Sequence, residues 1–185
     1  EPLELGKGVN LILPTGDPAA ARLVHSTFSN SLSRFYGFQP TVVEKPRTTG
    51  TYFVFGTPDT QPLLRDWARE GLQLDRCAVG EEGFQIISHQ RGRARFVIVH
   101  GTTARALKHG AQELLFYQLR PTVDGLRLDW PLDVVVTGPV VIVTYNLDVR
   151  YAHTHHAWAQ VVDWPPTEGS REVVATGPTL MVPVA

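Results

Sequence analysis

The densest chemical feature of this chain is His153-Thr154-His155-His156, set between Tyr151 and Trp158. On a strand, alternate side chains share a face, so His153 and His155 would project together. Neutral imidazoles at that spacing suit zinc or copper, with Asp148, Asp163 or a distant His completing the set, and His156 adjoining. The plainer alternative is a polar strand end whose histidines lie beside aromatic rings. The same stretch permits a third use. Tyr151, Trp158 and Trp164 carry flat apolar faces with polar edges, as a carbohydrate platform requires. Core packing of at least one Trp competes with that reading.

Other chemistries find less support. Asp124, Asp129 and Asp133 lie near Trp130, and Glu81-Glu82 precede Gly83. Glycoside hydrolysis needs two carboxylates about 5 to 10 Å apart across a pocket, and nothing in the spacing sets any two so. There is no G-x-S-x-G elbow for a serine nucleophile. Cys77 is the only cysteine. It excludes an intrachain disulfide and reads as a small buried residue, with no marked His partner. The segment His100 to Arg105 (HGTTAR) has a strand–Gly–helix shape but not the glycine spacing of a phosphate-binding loop, so helix capping accounts for it better. Gln90-Arg91-Gly92-Arg93, with Arg95, reads as a solvated hairpin tip, too small a basic patch for nucleic acid.

The totals agree. A chain of 185 residues with 43% hydrophobic and 19% charged residues supports one substantial core. The formal net charge of −1 argues against a general polyanion binder. No apolar run approaches the roughly 20 residues that span a bilayer, so no membrane partner is expected. Opening at Glu1 with no signal-peptide core, the chain is expected to be a processed or cut form.

The elements that must position these residues are alternating strands and helices. Gly8 to Leu13 reads as a buried strand. Asp17 as cap and Pro18 at the first helical position open a helix. Its stripe is Ala21, Val24, Phe28, Leu32 and Phe35, and Gly37 closes it. Thr41–Glu44 and Thr51–Phe55 follow as strands. A second helix is capped by Asp59 or Thr60, turns Leu63, Leu64, Trp67 and Ala68 inward, and stops at Gly71. Strands Phe84–Ile87 and Phe96–Val99 flank the turn at Gln90 to Arg93. Thr102 or Thr103 then caps a third helix with Ala104, Leu107, Ala111, Leu114 and Leu115 on one side.

These observations predict an α/β (α+β layered) fold, a mixed β-sheet with three main helices, followed by a β-rich C-terminal extension. The domain reading is 1–125 for the α/β domain and 126–185 for the extension, which also reads as part of the same domain. Within it, Val141 to Tyr151 alternates with a period of two, and Asp163 to Ser170 is a loop by composition. Val135-Val136-Thr137-Gly138-Pro139 and Val174-Ala175-Thr176-Gly177-Pro178 echo each other, as two similar corners that could pair in one sheet.

From GVNLIL through the DPAAARLVHSTFSNSLSRFYG helix, YFVFG, GFQI, FVIVHG and the final helix into Phe116-Tyr117-Gln118-Leu119, the chain resembles a known family. It is similar to the non-catalytic N-terminal α/β domain ahead of the catalytic barrel in α-glucuronidases and β-N-acetylhexosaminidases. Gly101, Gly110 and Tyr117 could fill the glycine and tyrosine places of that family's last strand and helix. The resemblance spans roughly Gly8 to Arg120. It implies an accessory domain whose partner is a catalytic barrel or another protein, a carbohydrate context, no cofactor, and a secreted or periplasmic setting. The stretch after Arg120 is far shorter than the ~200 residues or more of a barrel. No catalytic residue is carried over.

Overall fold

The structure is a computed structural model and describes residues 2–6, 8–74, 82–136, 140–144, 159–161, 171–173 and 179–183. The chain divides into two compact units, Glu1–Thr137 and Gly138–Ala185.

The first unit is an α/β layered structure built on a six-stranded mixed sheet. Its strands are β2 (Asn10–Ile12), β3 (Thr41–Val42), β4 (Thr49–Gly56), β5 (Phe84–Arg91), β6 (Arg93–His100) and β9 (Asp133–Val136), in the order β3-β2-β4-β6-β5-β9. The first four in that order run parallel, and β5 pairs antiparallel with both β6 and β9. The expected hairpin is longer than its apolar runs suggest. Gln90 and Arg91 read as turn but lie on β5, because pairing of Ser88 to Arg91 with Ala94 to Val97 extends the ladder up to Gly92, whose φ of 59° makes the turn.

Helix α1 (Pro18–Tyr36) begins where its caps put it. Asp17 accepts hydrogen bonds from the backbone N–H of Ala19 and Ala20, and Gly37 ends the helix in the left-handed conformation. Its buried stripe is Ala20, Val24, Phe28 and Leu32. Ala20 thus takes the place expected for Ala21, and Phe35 is 56% exposed. At the last turn the Phe35 ring meets the edge of Phe116 at 5.9 Å rather than the sheet.

Helix α2 (Pro62–Arg69) covers the opposite face, where Leu64 and Trp67 join Ile12, Tyr52, Val54, Ile87, Ala94, Phe96 and Ile98 in one buried cluster. Helix α3 (Ala104–Glu113) packs beside α1 and runs into a π-helical turn at Leu114–Gln118. At Leu119 the chain is already extended. There β7 (Leu119–Thr122), β8 (Gly125–Asp129) and β1 (Pro2–Gly6) form a small antiparallel sheet in the order β1-β8-β7. The β-rich character that starts at Leu126 therefore begins within the first unit. Leu132 and Ser88 bond reciprocally, Leu132 N to Ser88 Oγ at 2.6 Å and Ser88 N to Leu132 O at 2.9 Å, and this pins β9 onto β5.

In the second unit β10 (Val140–Thr144) pairs antiparallel with β13 (Thr179–Pro183), and β11 (Ala159–Val161) with β12 (Arg171–Val173). The strands that follow the two Thr-Gly-Pro copies thus pair with each other. The copies' own Thr-Gly-Pro residues, Tyr145 to Tyr151 and the loop at Asp163 to Ser170 lie outside the described residues.

Gly110 sets the closest approach of α3 to the sheet. A Cβ there would press into Val99 Cγ1 and touch the Phe84 ring. Gly110→Ala gains about 1 kcal/mol of helix propensity but overpacks a β-branched core contact, at a cost of about 1 to 3 kcal/mol. We expect a net loss in urea unfolding. The double variant with Val99→Ala should be more stable than the summed single losses.

Candidate functional site

In open sheets with parallel strands, ligands bind beyond the carboxyl ends of the strands. Here that edge is made by Leu13 and Pro14 after β2, Gly56 and Thr57 at the end of β4, and His100 and Gly101 at the end of β6. The molecule's own groups occupy it. His100, fully buried, donates from Nδ1 to the Gly56 carbonyl at 3.1 Å. Gln61, also buried, sends its amide nitrogen to the Leu13 carbonyl at 2.8 Å. Thr60 Oγ1 accepts from Thr57 N at 3.0 Å, and Gly16 N donates to Thr60 O at 2.9 Å. Gly56, at φ 133°, leaves no room for a side chain: a Cβ would lie 2.9 Å from Thr60 Oγ1 and 3.1 Å from Gln61 Cβ. At Gly101 a Cβ would stand 2.9 Å from that of Ala106.

This arrangement corrects one expectation. The cap of α2 is Gln61, whose Oε1 accepts from Leu63 N, while Asp59 and Thr60 belong to the turn before it. Gln61 is an uncommon cap, but its amide nitrogen is already fixed on Leu13, which aims the oxygen at the helix. At α3 the cap is Thr103, whose Oγ1 accepts from Ala106 N at 3.0 Å, in keeping with the capping reading of HGTTAR.

The acidic candidates do not converge. Glu82 pairs with Arg105 at 2.7 Å, and Asp129 with Arg120 at 3.3 Å. Asp124 and Asp133 are exposed. Glu113 is half-buried at the end of α3; burial raises its carboxyl above the usual range, and Gln118 donates to it at 2.9 Å. Burial likewise raises Tyr36, whose hydroxyl donates to Leu115 O at 3.3 Å. At the hairpin tip Arg91 pairs with Glu70 at 2.8 Å.

Sequence reasoning missed His109 and His89. His109 is buried on α3 and hydrogen-bonds the Glu82 backbone carbonyl, while its Nδ1 is buried with no hydrogen-bond partner. Burial, the leading cause, holds its pKa below the ordinary 6.5, and the charges of Arg105 and Lys108 act the same way. His89 lies against Trp67, ring centres 4.9 Å apart, and is lowered first by burial and then by Arg91. A polar residue on an otherwise apolar helix face was the only available signal for His109.

His153, His155 and His156, the platform residues Tyr151, Trp158 and Trp164, the auxiliary ligands Asp148 and Asp163, and also Cys77 and Glu81, lie outside the described residues. Among the described residues no group of three or more His, Cys, Asp or Glu is placed to hold a metal, and no helix is long and apolar enough to cross a membrane.

No family model matches the chain, and no curated protein matches it. Solved structures that resemble it in part include the following two. One is BtGH115A, a family GH115 4-O-methyl-α-glucuronidase with specificity for decorated arabinogalactans. It matches at a TM-score of 0.46 and 15% identity over 61% of this chain and 14% of that one. The other is CpGH84D, at a TM-score of 0.49 and 16% identity over 70% of this chain and 21% of that one. The chain therefore spans less than a quarter of either protein.

The two lowered histidines contribute to the pH dependence of stability. The unfolded chain binds these protons more tightly than the folded one. Stability from neutral His109 is therefore complete above about 6.5 and is lost as pH falls from there toward the folded-state value. The loss is at most about 1.4 kcal/mol per pH unit. In His109→Gln the amide can still donate to Glu82, so urea unfolding at pH 7.5 and 5.5 should show a shallower decline than the wild type.

Proposed function

We propose that this chain is a non-catalytic accessory domain of a larger carbohydrate-active protein, docking on a catalytic barrel or another protein. The observation that carries this reading is the filled carboxyl edge. His100, Gln61, Thr57 and Thr60 use their polar atoms there on the backbone and on one another. A site for bond-breaking chemistry must leave polar groups aimed at a substrate; here Gln61, Thr57, Thr60 and the Nδ1 of His100 are engaged in joining β2, β4, β6 and α2. The sequence resemblance between Gly8 and Arg120 supports the same role. With a panel of aryl glycosides, including α-glucuronides and β-N-acetylglucosaminides, the purified chain should give no hydrolysis above buffer. Turnover that follows the chain through two chromatographic steps would overturn the non-catalytic reading. Glycan contact in this proposal falls to Tyr151, Trp158 and Trp164, and glycan-array binding should then disappear in Trp158→Ala or Trp164→Ala.

A second reading rests on the spacing of His153 and His155, with His156 adjoining. In it the chain is a free-standing metal-binding or hydrolytic protein. Titration with zinc or copper would then reach one equivalent, and the His153→Ala/His155→Ala variant would lose it. Uptake unchanged by that variant rules this reading out.

A further inference from the structure

We propose that the notch between the β3–β4 loop, α2 and the β5–β6 hairpin tip binds a small organic anion, an oxyanion group carried on a ring with an apolar face. Two basic stretches that are far apart in sequence meet there. The parallel register of β4 with β6, which sets Thr49 beside Arg93, brings the Pro46–Arg47–Thr48 loop against the hairpin tip. Together with Trp67 of α2 they line a cavity of about 280 Å³ whose walls include Arg47, Thr48, Arg91, Pro46 and Phe96.

The loop is held in place before any ligand arrives. Tyr52 Oη accepts from Arg47 N and donates to Thr49 O, both at 2.9 Å. The floor is rigid as well: the Trp67 and Phe96 rings are 4.7 Å apart, each almost wholly buried, with His89 packed against both. The Arg47 side chain is exposed and makes no ion pair among the described residues. Arg91 spends part of its five-donor fork on Glu70 Oε2 at 2.8 Å, and both side chains remain about half exposed. Two arginines in the lining, one of them unpaired among the described residues, disfavour a cation and favour a carboxylate, sulfate or phosphate. The apolar floor favours a ring over a bare ion. A cavity of this size admits about one sugar unit, and Glu70, paired with the lining residue Arg91, disfavours a long polyanion such as nucleic acid.

This site stands on the notch alone, independent of the accessory-domain reading. The test is calorimetry on the full chain at low salt with galacturonate, glucosamine 6-sulfate, glucose 6-phosphate, glucose, inorganic phosphate and a single-stranded oligonucleotide. At least one anionic sugar should bind more tightly than glucose and inorganic phosphate, and which of the three does so identifies the oxyanion. Arg47→Ala and Arg91→Ala should each weaken that binding by about tenfold or more, the value of a charge-assisted hydrogen bond. Glu70→Gln, which frees Arg91, should tighten it, a gain that a merely structural role would not produce. Unchanged melting temperatures in the variants keep the comparison clean. The proposal is overturned if no anionic sugar binds, if glucose or inorganic phosphate binds as well as the best of them, if the oligonucleotide is preferred, or if Glu70→Gln weakens binding.

Discussion

Strands buried on both faces have no water to satisfy their backbone, so each must find a full ladder on either side. In this chain β4 and β6 carry that constraint. They pair over their whole length, from Thr49 with Arg93 to Gly56 with His100, and nearly every residue from Tyr52 to Gly56 and from Phe96 to His100 is buried. Both faces must then be covered, and the helices divide the task. Phe28 of α1 meets Phe53 and Phe55, with ring centres 6.0 and 5.3 Å apart, and α3 joins that face through Gly110. On the other side α2 seats Trp67 against Phe96.

The two ends of this strand pair have opposite characters. At the carboxyl end, His100, Gln61, Thr57 and Thr60 bond to backbone and to each other, and the loops close tightly over Gly56 and Gly101. Buried polar groups paired in this way hold α2 and the β2 loop to the sheet. At the amino end the strands run into exposed loops that bear arginines, and an open notch forms over an aromatic floor. Polar side chains at the closed end serve the fold, whereas Arg47 at the open end has its donors facing solvent.

Much of the fold was legible in the sequence where the deciding interactions are local. Asp17-Pro18 and Gly37 bracket α1 because a cap joins residues two to five positions apart, and the period-3.6 stripe names Val24, Phe28 and Leu32 directly. The same holds for Thr103 at α3. Reading failed where a distant group intervenes. Gln61 became a cap because Leu13 holds its amide, Gln90 and Arg91 became strand because β6 pairs with them, and Phe35 left the core because Phe116 meets it first.

Residue types alone therefore determined the class of the domain, three helices on a mixed sheet, and singled out the histidine and aromatic residues from Tyr151 to Trp164 as chemically distinctive. Only the tertiary structure decided that the sheet's carboxyl edge is filled by its own side chains and that Arg47 and Arg91 share a cavity. The reason is physical. Caps and periodicity are written within a few residues, while strand register and the convergence of side chains depend on which buried surfaces meet, and no short stretch of sequence contains both partners.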